Sequence, residues 1–459
     1  MDTGTRYVVG YDLNDTLTQI SYFELDNDAP KTLVSDGENE RLGIPTLLCK
    51  RRKVNQWSFG TEAKRLILNE GEAEAGKLLS MAVNESSIMI DGESFEGLDL
   101  LILFVRKSLN LLSVYVPMEQ IENFIFTVPS LDRDMIKVLE RVSAAIPVER
   151  ERIMFQSYSE SVYYYMIHQQ AELWETESAV FDHNGKNMTC YHLKMNHRTT
   201  PIVGVIDEYT FDNVMVPEPG RVLDEKYDDE EEAVDENNDI TGDKDGSEEE
   251  GSIAETAGEE IDRMDEALQE LLHDFLMSRP IRSAYLLGDG FEGEWCKKTI
   301  GFLCMGRRVF QGKNMYSKGA CYYGMDKLKP TELNSKYIFL GKDKLQFNLG
   351  MNMKRKDKEE YIALADGGEN WFDISTVVEF LLTQGSKVDM LVTPLDGKEV
   401  RNITVNLDGL PNRPEKTTRL KMRVGFSSGD TLKIRIEDMG FGEIFPSSSL
   451  KWEKEVRIV

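Results

Sequence analysis

Apolar residues along the first half of the chain fall into short runs separated by turn-forming residues. Residues 6–25 read as strand, turn, strand, with Tyr7-Val8-Val9-Gly10-Tyr11 as the apolar run and Asn14-Asp15 at the turn. Residues 44–59 read as a hairpin with the basic cluster Lys50-Arg51-Arg52-Lys53 at a solvated tip. Helical periodicity follows at 61–68 and 98–112. Phe124-Ile125-Phe126-Thr127-Val128-Pro129 predicts a buried strand. Next come a helix over 132–145, a strand over 153–155 and a helix over 159–170, whose run Tyr163-Tyr164-Tyr165 packs in a core. Residues 178–182 and 188–193 predict two strands joined at Asn184-Gly185. A helix over 259–277 carries Ile261, Met264, Leu268, Leu271, Leu272 and Phe275 on one face. A strand over 284–287, a glycine turn and a helix over 294–303 complete this part.

From about residue 335 the texture changes. Alternating runs occur at 345–353, 361–365, 388–392, 403–407, 420–426 and 432–436. Turn signals such as Asp366-Gly367-Gly368, Asp396-Gly397 and Ser428-Gly429 separate them. That spacing predicts an all-β sandwich. The reading is two domains, 1–330 and 331–459.

Composition adds three constraints. The 459 residues suit two or three domains, and 41% hydrophobic residues suffice for ordinary cores. No run approaches the roughly 18 apolar residues of a membrane helix. The start has no basic stretch or apolar core of a secretory signal, and five scattered cysteines form no Cys-x-x-Cys pair. A cytoplasmic protein with reduced thiols is expected, with no membrane partner. Net charge is −27, of which residues 224–262 carry −17. That segment has too few apolar residues to bury and reads as a disordered acidic insert. The balance argues against nucleic acid, whose phosphates want a basic face.

Three glycine-containing turns each follow an apolar strand: Gly10-Tyr11-Asp12-Leu13-Asn14-Asp15-Thr16, Phe181-Asp182-His183-Asn184-Gly185 and Leu286-Leu287-Gly288-Asp289-Gly290. Such turns expose backbone N–H groups that can cradle phosphate, and their carboxylates can hold hydrated Mg²⁺. Singly, an Asp-Gly turn more often just closes a hairpin. His183, Cys190, His192 and His197 could suggest zinc, but their spacing matches no standard site.

The order of the three turns resembles the actin, sugar-kinase and heat-shock chaperone ATPase superfamily. Within it the chain is most similar to the seventy-kilodalton heat-shock chaperones. Ile44-Pro45-Thr46 with Phe59-Gly60-Thr61-Glu62-Ala63, then Phe126-Thr127-Val128-Pro129, then the stretch ending at Gly324 resemble family segments. Asn406-Leu407-Asp408-Gly409-Leu410-Pro411 with Pro414 resembles a turn of the peptide-binding sandwich. The resemblance implies an α/β actin-like ATPase domain of two ribonuclease-H-like halves, followed by the β-sandwich, in a divergent member without the helical lid.

It also implies a site. ATP or ADP would contact Asp12, Asn14, Asp15, Thr16, Asp182, Asn184, Gly185, Lys186, Gly288, Asp289 and Gly290. Asp12 and Asp182 would hold Mg²⁺ through water and serve as the catalytic carboxylates. The departures are as informative. Asn14, Asp15 and Thr16 stand where small residues belong. A like charge from Asp15 about 4 Å from a phosphate costs on the order of 4 kcal/mol at an effective dielectric near 20. The family's second aspartate falls on Thr189, its loop glutamate on Gln156 and its adenine-stacking arginine on Glu292; Lys64 is one candidate for its lysine. Phosphoryl transfer needs metal, a positioned water and charge stabilisation. The expectation is nucleotide binding with weak or no hydrolysis, modulating how the sandwich holds a peptide or partner protein. An active Mg²⁺-dependent ATPase and a nucleotide-free scaffold with an acidic docking tail are the alternatives.

Overall fold

The computed structural model describes residues 5–34, 43–51, 56–217, 247–356, 358–395 and 397–458. The chain groups into two compact units, one of Met1–Tyr165, Asn196–Val205 and Tyr316–Val459, the other of Met166–Met195 and Ile206–Met315.

The first unit opens with strands β1 (Tyr7–Asp12), β2 (Leu17–Glu24), β3 (Lys31–Thr32), β4 (Ile44–Pro45), β5 (Leu48–Lys50) and β6 (Trp57–Phe59). Helix α1 (Gly60–Glu70), β7 (Ala73–Ala75), α2 (Leu78–Val83), β8 (Ser87–Ile90), β9 (Glu93–Glu96) and α3 (Gly97–Leu112) follow. Then come β10 (Ile121–Val128), α4 (Arg133–Ser143), β11 (Ile153–Ser157) and α5 (Tyr158–Ile167). The main sheet runs β11-β10-β1-β2-β3. β1 pairs antiparallel with β2 and parallel with β10, which pairs parallel with β11. β10 is buried almost throughout, as a parallel strand covered on both faces must be. α3 lays Leu100, Leu101, Phe104, Val105, Leu109 and Leu112 into the core at helical spacing. α4 starts where Asp132 accepts from the N–H groups of Asp134 and Met135.

The second unit contains β12 (Glu177–His183), β13 (Met188–Asn196), the later part of β14 (Ile202–Phe211), α6 (Ser247–Leu276), β15 (Ile281–Leu287), α7 (Lys297–Cys304) and β16 (Arg308–Gln311). β12 pairs antiparallel with β13 and parallel with β15, which pairs parallel with β16. The order β16-β15-β12-β13 therefore repeats β11-β10-β1-β2: a hairpin extended by two parallel strands on its first strand's side. Phe181, Cys190, Leu268, Leu272, Phe275 and Leu286 share its core. α6 begins at Ser247, so it takes in the last part of the 224–262 segment, where glutamates and alanines favour helix. The part of that segment before 247 lies outside the described residues.

The first unit resumes with α8 (Met315–Leu328) and β17 (Tyr337–Phe339), which pairs parallel with Ile202–Gly204 of β14. α8 is drawn close to the sheet by glycine. A methyl group on Gly10 would stand 2.0 Å from the Ser317 carbonyl oxygen, and one on Gly319 would stand 1.9 Å from that of Ser161. Among the described residues eight strands follow: β18 (Phe347–Arg355), β19 (Lys358–Ala365), β20 (Ser375–Leu382), β21 (Lys387–Pro394), β22 (Arg401–Asn406), β23 (Thr418–Ser428), β24 (Thr431–Gly440) and β25 (Lys451–Arg457). They form two four-stranded antiparallel sheets, β19-β18-β21-β22 and β20-β23-β24-β25. Leu349, Val388, Met390 and Val405 of one share a core with Leu420, Met422, Leu432 and Ile434 of the other.

Among the described residues, two lysines are buried. Lys50, expected at a solvated tip, is buried with its ammonium 2.6 Å from Glu93 and over the Phe95 ring, because β5 is an inner strand between β6 and β7. Residues 52–55 of that tip lie outside the described residues. Lys344, also buried, reaches Glu160 Oε1 of α5 at 2.6 Å and donates to Asn370 Oδ1 at 2.6 Å. Glu160 is 1% exposed, and Phe155 meets Phe372 nearby in sequence to both ends of this contact. The C-terminal sheets are thus tied to the N-terminal part of the unit through an ion pair. Lys344→Met should strand the Glu160 carboxylate and lower stability by about 3–5 kcal/mol, whereas adding Glu160→Leu should recover most of it. Urea unfolding of both variants checks this, and a loss under about 1 kcal/mol for the single variant would refute the pair's role.

Candidate functional site

The first turn joins Asp12 to Leu17. Asn14 closes it: Oδ1 accepts from the Thr16 N–H at 2.8 Å, the Thr16 hydroxyl at 2.8 Å and the Leu17 N–H at 2.9 Å. Asn14 Nδ2 donates to the Leu17 carbonyl and the Tyr158 hydroxyl, both at 2.9 Å. That hydroxyl donates to Asp12 Oδ1 at 2.5 Å, and the Tyr158 ring stacks on Tyr316 with centroids 3.7 Å apart. Asp12 is buried. Asp15, expected to face a polyphosphate, instead takes the N–H of Ser80 at 2.9 Å and the Ser80 hydroxyl, at the first turn of α2. Its charge there meets unpaired helix N–H groups.

Asp12, Thr127 and Gln156 stand side by side at the ends of β1, β10 and β11. Gln156, expected from the resemblance to replace a glutamate, is buried and accepts from the Ser161 hydroxyl at 3.0 Å; that hydroxyl also pairs with Thr127. Gln156 Nε2 has no hydrogen-bond partner among the described residues. Lys64 is exposed on α1.

The second turn, in the other unit, repeats the first. Asp182-His183-Asn184 matches Asp12-Leu13-Asn14, and Asn184 again caps the turn. Its Oδ1 accepts from the N–H of Lys186 at 3.1 Å and of Asn187 at 2.8 Å; its own N–H donates to the Asn187 carbonyl at 3.1 Å. The Gly185 N–H, at φ +85°, donates to His183 Nδ1 at 3.1 Å. Lys186 is exposed. Thr189 lies opposite Asp182 in the hairpin register.

The third turn packs on the second. A methyl group on Gly288, at φ +87°, would stand 2.3 Å from the His183 carbonyl oxygen and 2.8 Å from Asp182 Oδ1. One on Gly290 would stand 2.4 Å from the His183 ring, whose other neighbour is Phe291, edge-on at 5.5 Å. Burial holds His183 down at a pKa of about 4, partly offset by the Asn187 backbone. A 3₁₀ turn, Asp289–Phe291, follows Gly288, and the helix expected over 294–303 is α7, which starts at Lys297. The N–H groups of Lys298 and Thr299 at its start go to Asp265 of α6, at 2.7 and 2.9 Å. Glu292 is exposed.

Asp12, Asn14, Asp15 and Thr16 therefore belong to the first unit, and Asp182, Asn184, Gly185, Lys186, Gly288, Asp289 and Gly290 to the second. Tyr158 and Ser80, which complete the first turn, and Asp265, which holds the start of α7, have no motif to mark them; His183 lies inside the second turn's motif, but its packing against the third turn does not show in the sequence. Among the described residues no group of three or more His, Cys, Asp or Glu side chains is placed to hold a metal ion. Cys190 is buried with its thiol pushed up by burial, and His192 bonds Glu177 at 2.7 Å, so both are core residues of β13. All five cysteines are free thiols. Among the described residues no helix is long and apolar enough to cross a membrane.

The described residues thus form a mixed α/β protein with two asparagine-capped turns, followed by eight antiparallel strands. It belongs to the family described as "Family of unknown function (DUF5716) C-terminal", which matches residues 29–342. Residues 344–458 match the "Domain of unknown function (DUF8552)". Among curated proteins none matches the chain.

His183 generates a pH dependence. The folded ring takes its proton only near pH 4, whereas an unfolded histidine takes it near 6.5. Between these values the unfolded state binds more protons. Stability present above pH 6.5 should therefore decline as pH falls towards 4, by on the order of 3 kcal/mol. Urea titrations at pH 7.5 and 4.5 on wild type and His183→Gln measure it, and an equal decline in both would contradict the assignment.

Proposed function

We propose that this chain is a protein-binding scaffold on a chaperone-like, actin-type fold, and that it works without nucleotide. The repeat of a hairpin with two parallel strands in each unit supports the resemblance to the seventy-kilodalton chaperones, as do the two facing antiparallel sheets. One observation carries the functional reading. In both Asp-x-Asn turns the backbone N–H groups that would cradle phosphate already donate to the turn's own asparagine.

ATP with Mg²⁺ fits these residues poorly. A phosphate entering either turn would have to displace an amide oxygen bound at 2.8–3.1 Å, and each lost bond costs about 1 kcal/mol or more. Asp12 is engaged by Tyr158, Asp15 by α2, and Asp182 lies against Gly288. Gln156 and Thr189 supply no charge to orient metal-bound water. The ATP-modulated peptide binder and the active ATPase are the less supported readings. Binding falls to the C-terminal sheets, whose edge strands β19, β20, β22 and β25 can receive an extended segment of a peptide or partner protein. The acidic segment is a second candidate for docking, on its charge alone.

Isothermal calorimetry with ATP or ADP and Mg²⁺ at millimolar concentration should give only dilution heat. Phosphate release should match the rate without protein. Saturable heat that disappears in Asp12→Asn would overturn the proposal.

A further inference from the structure

The sheet β20-β23-β24-β25 turns one face to the core and the other to solvent. On the outer face its two central strands carry five basic side chains, Arg419, Lys421, Arg423, Lys433 and Arg435, against one acid, Glu437. Glutamates neutralise part of this charge. Lys421 Nζ lies 3.5 Å from Glu379 Oε1 of β20. Arg435 lies 2.9 Å from Glu437 and 3.5 Å from Glu453 of β25, and Lys433 lies 3.9 Å from Glu455. Those pairs use the four glutamates of the face.

Arg419 and Arg423 are left over. Both are exposed, and neither has an ion pair among the described residues. The register adds a repulsion. The neighbour of Arg423 in β24 is Arg435, and like charges directly opposite each other destabilise a sheet. On the other side, in β20, the neighbour of Arg423 is Val377 and that of Arg419 is Leu381. These two are 47% and 41% exposed, so each unpaired guanidinium stands beside an uncovered apolar side chain. Singly, an exposed arginine or valine on a sheet is unremarkable. Here the same combination occurs twice on one face, four residues apart on adjacent strands.

We propose that this face docks an acidic segment of a partner protein, whose carboxylates pair with Arg419 and Arg423 and whose apolar side chains cover Val377 and Leu381. Local charge selects this occupant. A nucleic-acid strand brings one phosphate per ~3.4 Å, whereas the two arginines stand about 13 Å apart along β23. Between them lies the Glu379–Lys421 pair, so most phosphates on that path would meet no free cation. A bilayer taking up Val377 and Leu381 would have to bury Glu379, which stands between them on the same face. A second copy docking by the same face would set arginine against arginine. The inference deepens the scaffold reading, and the two fail separately. Nucleotide binding would overturn that reading and leave this face as it is; a partner indifferent to Arg423 would overturn this one and leave the strand edges open.

Fluorescence anisotropy on the full chain tests it. The probe is a labelled peptide of repeated Leu-Ser-Glu-Ser, which when extended presents leucine and glutamate on one side. The control is the same peptide with glutamine replacing glutamate. Saturable binding of the glutamate peptide alone is expected. Arg419→Glu and Arg423→Glu should each weaken it about tenfold or more, and Val377→Ser severalfold. The free Arg423→Glu chain should melt no lower than wild type, because the new carboxylate faces Arg435. If its melting temperature and its affinity fall together, Arg423 serves the fold and the proposal is overturned. No binding of the glutamate peptide, or equal binding by wild type and Arg423→Glu, also overturns it. So does binding of an oligothymidylate or of phosphatidylserine vesicles, or self-association by sedimentation, that Arg423→Glu abolishes.

Discussion

A backbone N–H withdrawn from water must find an acceptor, and where these turns find theirs decides what they can do. A phosphate-binding turn leaves its N–H groups for the ligand to satisfy. Here asparagine takes them. The short amide side chain reaches its own backbone two and three residues on, the ordinary Asx geometry, and the turn becomes complete in itself. That this happens at Asn14 and at Asn184, each two residues after an aspartate at the end of the first strand of a hairpin, makes it a property of the repeat. Asp15 extends the same logic. Its carboxylate meets the open N–H groups of α2, which would otherwise lack a partner.

Interior polar groups in the first unit follow a related rule. Glu160 and Lys344 are both buried, and neither is tolerable alone. Lys344 is the first residue of the second matched segment, so the pair joins α5, in the first, to the start of the C-terminal sheets. A buried ion pair is weak support for stability as such, since well-packed apolar residues do as well. Its value is that only one arrangement satisfies both charges. With Asn370 accepting from Lys344 and donating to Asp373, the sheets are held in a defined seat on α5. Such a seat suits a scaffold better than a domain that must swing.

Much of the element order was legible, because it depends on local periodicity. The strand ending at Val128, the helix capped by Asp132 and the alternating runs after residue 345 each carry their period in their own residues. What was illegible depends on partners distant in sequence. Lys50 sits in a basic cluster that reads as a solvated tip, yet its strand lies between two others and its ammonium goes to Glu93. Tyr158 has no motif; its role exists only because α5 starts beside the end of β1 and Tyr316 offers a ring. The helix start at Ser247 does not show in the burial pattern, because the segment is acidic and poor in apolar residues, whereas glutamate and alanine favour helix on propensity alone.

The glycines show why a motif by itself does not establish a phosphate site. Gly10, Gly288 and Gly290 make the phosphate reading attractive, since glycine lets a ligand approach the backbone. In the folded chain each approach is already filled. Gly10 admits the Ser317 carbonyl of α8; Gly288 admits Asp182 and the His183 carbonyl; Gly290 admits the His183 ring. A methyl group at any of the three would lie 2.0–2.4 Å from another atom, so these positions demand glycine for packing whether or not a ligand ever binds. The motif thus reports a fold whose elements come very close together. Whether that fold retains a ligand is decided by neighbouring residues, and at those positions stand two asparagines and a tyrosine that occupy the hydrogen bonds themselves.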